Sequence, residues 1–351
     1  MLYYTRKRYK NRVQNKPHIC LHKSTGYAII YVVRRNAVLW ADKRYHSLDY
    51  EMKARYGHKI YKIALDGGFT CPNRDGTVGH GGCSFCSNEA FTPAYCDPRR
   101  TVRQQVDDAI AFHRRGFPAG TGFLVYFQSY SNTYAPLERL QRLFGEALAC
   151  PGVAGIVVGT RPDCVDAAKL DYLADLARRT YVCVEYGIES TSDATLRTID
   201  RGHDFAAARR AVEATAARGV AVGAHFILGL PDESDAELLD RTRIINALPL
   251  ATVKFHQLQF VEGTRMTDLY DAEPARFRRW TAAEYVDLTA EILRRLRPDI
   301  AVERIAGQTP PRIRCRRPWG NLRGDALWRM LEKRLVEKNA HQGEFFVSSQ
   351  R

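Results

Sequence analysis

The sequence has no long apolar run. Its longest, Tyr27 to Val33, holds seven residues and ends against Arg34 and Arg35. A membrane-spanning helix needs about 20 apolar residues, and no small-residue cleavage site follows this run. Neither a spanning segment nor a secretory leader is expected, and the compartment expected is the cytoplasm. There is no G-x-x-x-x-G-K-[ST] loop for phosphates and no nucleophile elbow. "GFPAGTG" at 116–122 is no dinucleotide fingerprint, because no strand precedes it and no capped helix follows. Nine cysteines, an odd number scattered over 351 residues, exclude the framework of a small disulfide-stapled protein.

Acidic residues are missing from one region only. Residues 1–36 carry nine Lys or Arg and no Asp or Glu, whereas residues 271–351 hold 17 basic and 11 acidic residues, so the two ends account for more than the net charge of +14. The middle of the chain is close to neutral. Basic ends suit a polyanion such as RNA, and they suit a solvated basic surface equally well. Residues 1–36 show no helical or strand period beyond the short apolar run. They read as a basic extension, disordered or translated from upstream of the natural start, because the organised pattern begins near Trp40.

With 45% hydrophobic residues the chain has ample material for a core. From Lys59 onward it alternates two kinds of segment. Near-continuous apolar stretches at 59–67, 122–128, 153–160, 181–188, 220–229 and 252–260 read as buried strands. Between them lie amphipathic stretches such as "PLERLQRLFGEALA" and "DFAAARRAVEATAAR", with Asp163, Asp204 and Ser234 where N-caps are expected. Strands joined by helices give a parallel sheet, so six units predict an α/β fold, a (β/α)6 partial TIM barrel or a doubly wound sheet. In both, chemistry gathers at the carboxyl ends of the strands. The expected division is 1–36, 37–270 for the barrel, and 271–351 for a basic, mainly helical C-terminal extension with helices at 282–296 and 325–338.

Three of the nine cysteines crowd into "GFTCPNRDGTVGHGGCSFC", where Cys71, Cys83 and Cys86 have the spacing C-x11-C-x2-C directly after the first strand. A closed zinc site needs a fourth ligand, for which His80 or Cys96 is available. A [4Fe–4S] cluster held by three thiolates leaves one iron open to a small molecule. Spacing alone leaves both readings standing.

Position and context favour the second. The loop after strand one, "TRPD" at 160–163, "EYGIES" at 185–190, "RGH" at 201–203 and "HFILGLPDE" at 225–233 resemble the radical S-adenosylmethionine (SAM) enzymes, in particular their coproporphyrinogen-oxidase-like and elongator-catalytic-subunit branches. "ADKRYHSLDYEMKARYG", "KIALDGGFTCPNRDGT", "SNTYAP", "KFHQLQFVEGT" and "ERIAGQTPPR" are similar to the YhcC/YtqA bacterial subfamily over roughly residues 38–345.

The resemblance implies one [4Fe–4S] cluster on Cys71, Cys83 and Cys86, and SAM as the second cofactor. It implies that Arg201 pairs with the methionine carboxylate, and that Glu189 and His225 meet the ribose. Phe85, Ile227 and Gly229 would flank adenine, and Gln128, Ser129 and Asn132 occupy the place where the superfamily has a Gly-Gly-Glu-like segment for the SAM amine. Tyr130, Tyr134, Arg161, Asp163, His256 and Gln257, near the carboxyl ends of strands, are candidates to face substrate. Cys150, Cys164, Cys183 and Cys315 form no C-x2-C pair, so one cluster is expected, with Cys164 either a small buried hydrophobe or a thiyl hydrogen donor.

By the same resemblance, the elongator-like relatives modify carbon 5 of the wobble uridine of tRNA. No acetyltransferase segment follows in this sequence, which points away from acetyl transfer and toward remodelling of a side chain already installed, such as carboxymethylaminomethyl to aminomethyl. Arg312, Arg314, Arg316 and Arg317 around Trp319 offer a platform for RNA phosphates. A flavodoxin or ferredoxin is the expected reductant. The alternatives are a radical SAM enzyme acting on a metabolite or porphyrin-like molecule, and a zinc-stabilised RNA-binding module without redox chemistry.

Overall fold

Strands that are apolar along their whole length need cover on both faces, and the tertiary structure supplies it. The computed structural model describes residues 18–347, apart from 25–26, 35–36, 114–115, 118–119, 308, 311, 317–318 and 321. Ahead of the barrel, β1 (His18–Ser24), β2 (Tyr27–Arg34) and β3 (Ala37–Leu39) form an antiparallel meander. This corrects the expectation of an unstructured extension over these residues. The strands are sequence neighbours, with Ser24 opposite Tyr27, and such local pairing needs no strong hydrophobic period.

Helix α1 (Leu48–Tyr56) leads into β4 (Ile60–Leu65), β5 (Gly122–Phe127), β6 (Val153–Thr160), β7 (Tyr181–Glu189), β8 (Ala221–Leu228) and β9 (Thr252–Gln257). All six lie side by side in chain order and parallel, at the positions read from the sequence. A seventh, β11 (Ala301–Arg304), pairs parallel with β9 and makes the other edge. The expected six strands are therefore seven, and the C-terminal extension is part of the sheet. "AVER" was missed because two of its four residues are charged, leaving no apolar run to mark it. The sheet curls into a half-barrel until its edges face each other, with Lys62 Nζ of β4 2.7 Å from Glu303 of β11.

Helices α2 (Val102–His113), α3 (Leu137–Leu148), α4 (Ala167–Ala177), α6 (Phe205–Ala216), α7 (Asp235–Ala247) and α9 (Ala282–Arg295) pack against the barrel. Phe144 of α3 meets Phe127 of β5 with ring centroids 4.8 Å apart, both fully buried; each such side chain contributes about 1.5–3 kcal/mol by leaving water. Ser234 caps α7 through a capping box with Glu237, and Asp204 caps α6, as expected. The cap of α4 is Asp166 rather than Asp163, which leaves Asp163 free for another partner. The short helices α5 (Asp193–Thr198) and α8 (Arg265–Ala272) and the two-stranded pair β10 (Phe260–Val261) and β12 (Cys315–Arg316) line the carboxyl-end side.

The last helix, α10 (Gly324–Glu337), packs on α9. The chain then returns to the start of the barrel. Buried Gln342 accepts from the backbone of His46 and donates to the carbonyls of Arg297 and Ile300, while the Trp328 ring stacks on Tyr45 at 4.9 Å. Among the described residues no helix is long and apolar enough to cross a membrane.

Candidate active site

The carboxyl ends of the strands open into a cavity with two communicating ends. One, of about 700 Å³, is lined by Cys71, Cys83, Cys86, Arg74, Ser131, Arg161 and Arg201. The other, of about 920 Å³, is lined by Phe91, Ile227, Lys254, His256, Gln257, Gln259 and Arg304. Phe85, Asn88, Tyr126, Gln128, Glu189 and His225 line both.

The loop from Cys71 to Cys86 is folded back on itself so that its sulfurs lie at the cavity wall. Gly82 has a left-handed φ of 90°, and a Cβ there would strike Arg74 at 2.9 Å. The sulfurs are met by donors. Asn73 Nδ2 and Arg201 Nη1 reach Cys83 at 3.4 and 3.3 Å, and Asn88 Nδ2 reaches Cys86 at 3.7 Å. Burial, together with the neighbouring Cys83, pushes the Cys86 thiol up to about 11, so a thiolate here requires a cation beside it. Among the described residues the buried Arg201 Nε and Ser131 Oγ atoms have no hydrogen-bond partner.

A donor set of three thiolates, cationic groups and unpartnered polar atoms fits a three-cysteine iron–sulfur cluster with a polar ligand next to it. A cubane places each thiolate on a different iron. A single-ion site instead needs its ligands within about 2.0–2.3 Å of one point, and among the described residues no three His, Cys, Asp or Glu side chains are so arranged. The candidate fourth ligands lie elsewhere: Cys96 donates to the carbonyl of Ala64 at 3.3 Å, and His80 pairs with the backbone of Asp75.

Backbone strain concentrates at the same place. Tyr130 and Glu189 both have positive φ, 63° and 71°, without being glycine, a condition that costs of order 1–3 kcal/mol and is tolerated where surrounding structure enforces it. At Glu189 the enforcing feature is an irregularity in the β7–β8 register between Gly187 and Glu189. Burial raises the Glu189 carboxyl, an effect opposed by Arg201 with its Nη2 at 3.8 Å.

Other expected residues are committed to structure. Arg161 grips Asp163 with two bonds of 2.8 and 2.7 Å and donates to the carbonyl of Arg201. Tyr134 bonds Thr77 and lines neither end of the cavity. Gln257 is locked to Gly307 through both amide atoms, and Asn132 is fully buried, bracing the carbonyls of Phe127 and Gly159. Gly229 has φ 86°, a Cβ there would meet the Trp280 ring at 2.7 Å, and it lines neither end of the cavity. Cys164 is buried beside Asp163, away from the cavity wall. Arg314 is exposed and 3.8 Å from Glu262, Arg316 pairs with Asp271, and Arg317 lies outside the described residues.

The barrel interior also holds charges that were not singled out from the sequence. Glu185 accepts from Lys254 at 2.5 Å, Lys62 at 2.6 Å and His225 at 3.0 Å, while Glu303 accepts from the same two lysines at 3.1 and 2.7 Å. Tyr126 lies under both ammonium groups, 4.8 and 4.4 Å from its centroid. The signal available was one charge in the middle of an otherwise apolar strand, as in "YVCVEYGI" and "TVKFHQLQF". His225, expected to face ribose, is held by Glu185 at the junction of the two ends. Burial pushes His256 well below its usual value, as does Arg304, so its ring is neutral.

A parallel half-barrel with a three-cysteine loop after its first strand defines a class. Residues 73–243 match the radical SAM superfamily and residues 250–335 the radical SAM C-terminal domain. The chain belongs to that superfamily, whose members use a [4Fe–4S] cluster and SAM, and it is a radical SAM enzyme.

Within it, the chain is 35% identical over 305 residues to YtqA of Bacillus subtilis (strain 168), covering 87% of this chain and 94% of that protein. It is 35% identical over 257 residues to YhcC of Escherichia coli (strain K12), covering 73% and 81%. Elongator complex protein 3 of Homo sapiens is 29% identical over 183 residues, 50% of this chain and 32% of that protein. The archaeal Methanocaldococcus infernus Elp3 superposes with a TM-score of 0.60 at 14% identity, covering 81% of this chain and 64% of that one, which is a likeness of fold. The reading as a zinc module without redox chemistry is thereby set aside.

Proposed function

We propose that the protein modifies tRNA, acting on the carbon-5 side chain of the wobble uridine, for example carboxymethylaminomethyl to aminomethyl. The observation that carries this reading is the second end of the cavity: about 920 Å³, open to the surface and continuous with the cysteine end. Aromatic Phe85, Phe91 and Tyr126 line it, and Phe91 is exposed, where a base leaving its stack would find a ring to lie on.

Cys71, Cys83 and Cys86 would hold the cluster. When bound, the cluster and SAM supply a 5′-deoxyadenosyl radical. Arg201, whose Nη1 meets Cys83, would orient a carboxylate through its guanidinium. Glu189 and His225 at the junction would hold ribose hydroxyls, Phe85 and Ile227 would bracket adenine, and Gln128 and Ser129 would hold the wall near the SAM amine. In the present structure those two side chains are tied to the carbonyl of Phe91 and the hydroxyl of Thr92. The electron source would be a flavodoxin or ferredoxin in the cytoplasm.

The test is anaerobic reconstitution followed by incubation with SAM, reductant and bulk tRNA, with nucleosides read by mass spectrometry. A wobble uridine with its side chain shortened is expected. SAM cleavage with an unchanged nucleoside profile would remove tRNA while keeping the enzyme class.

A further inference from the structure

Most charged side chains of the cavity are paired with an opposite charge, and Arg74, beside the cysteines, meets Cys86 and the Tyr130 ring. Glu185 and Glu303 face Lys62 and Lys254, and Glu189 faces Arg201. Arg304 has no hydrogen bond or ion pair among the described residues, although it is partly buried and lines the end of the cavity away from the cysteines. A partly desolvated guanidinium without a partner is an unfavourable arrangement unless something else completes it.

Arg304 is aimed there by the backbone. The register of β11 against β9 shifts between Val302 and Arg304, and this irregularity lets consecutive residues Glu303 and Arg304 both serve the barrel interior, where regular alternation would send one outward. Its register partner is Lys254, whose side chain is 3% exposed, while Arg304 itself is partly buried. Nearby, Gln259 is 9% exposed and its Oε1 has no partner.

We propose that Arg304 is the receptor for a carboxylate carried by the substrate, a specificity-determining contact at the end of the cavity opposite the cluster. This deepens the reading of that end as the substrate pocket and rests on it. A guanidinium fork matches a planar carboxylate with two parallel bonds, and a partly buried place on the cavity lining favours a group on the modified base over a backbone phosphate, which stays at the surface of a bound nucleic acid.

The full-length, cluster-loaded enzyme is given tRNA bearing a carboxymethylaminomethyl side chain or its methyl ester. KM and kcat are measured for each, and iron per chain serves as the check on folding. The wild type is expected to favour the acid roughly ten- to hundredfold, chiefly through KM, as one charge-assisted bidentate contact allows. Arg304→Gln is expected to abolish that preference, and Arg304→Lys to keep part of it. In parallel, crystals of the protein soaked in bromide should show an anomalous peak at Arg304 in the wild type and none in Arg304→Gln.

A preference for the acid that survives in Arg304→Gln overturns the proposal. So does an equal loss on acid and ester, which would indicate a phosphate contact, and so does a wild-type crystal with no bromide at Arg304. Bromide at Arg304 with neither tRNA turned over supports the anion site and defeats the tRNA reading instead.

Discussion

At the mouth of the barrel, three sulfurs come from a single sixteen-residue loop, Cys71 to Cys86; in its interior, Lys62, Glu185, Lys254, Glu303 and Arg304 come one or two at a time from four strands between positions 62 and 304. The first arrangement places its ligands through local backbone geometry, with Gly81 and Gly82 at positive φ. The second exists only when the sheet has curled far enough to bring β4 opposite β11. The cysteine loop serves chemistry, whereas the charges serve the shape of the barrel and the character of its pocket, and each region should fail in its own way.

The largest effect is expected at the cysteines. Replacing Cys71, Cys83 or Cys86 by Ser should reduce iron to background and abolish 5′-deoxyadenosine formation, while Cys96→Ser leaves iron content unchanged. Loss of iron in Cys96→Ser would break the division between loop ligands and the rest.

In the barrel interior Glu185→Gln removes the carboxylate at the centre of the buried charges and leaves two lysines sharing Glu303. Breaking a buried pair in this way costs about 3–5 kcal/mol, to be read by urea denaturation. Burial pushes the Glu185 carboxyl up, but Lys254 and Lys62 beside it prevail and hold it well below the usual 4.5. A carboxyl lowered by folding stabilises the protein above its unfolded value, and that stability is lost as pH falls through the folded value. The wild type should therefore lose stability progressively below about pH 4.5, and Glu185→Gln should lose less over the same range. An identical acid limb in the two proteins would show that this hub does not govern the barrel.

A smaller effect is expected at Gly229. Ala there meets the Trp280 ring at 2.7 Å in a left-handed conformation, which should cost about 1–3 kcal/mol without altering iron content or the KM for SAM. A raised KM for SAM at unchanged stability would return Gly229 to the adenine site.

Much of the barrel was legible. Six parallel strands announced themselves because a strand covered on both faces is apolar throughout, and Ser234 and Asp204 cap their helices as their residue types predict. Asp163 misled for a local reason: Pro162 opens a short 3-10 turn, the helix begins only after Asp166, and Asp163 is taken by Arg161. The expected substrate-facing set divides likewise. Tyr130, His256 and Gln257 line the cavity, although the Gln257 amide is spoken for by Gly307, whereas Tyr134 bonds Thr77 and lines neither end. Residue type and nearness to a strand end do not say which side chains already have partners.

The sequence by itself determined the half-barrel class, the position of the cysteine loop after the first strand, and the superfamily, because these rest on periodicity and on ligands close together in the chain. Only the tertiary structure decided that Ala301–Arg304 completes the sheet, that Lys62 and Glu303 draw its edges together, and that Arg304 lines the cavity with no ion pair among the described residues. Those outcomes depend on the curl of the sheet and on a shift of register, and neither is written in the spacing of residues along one strand.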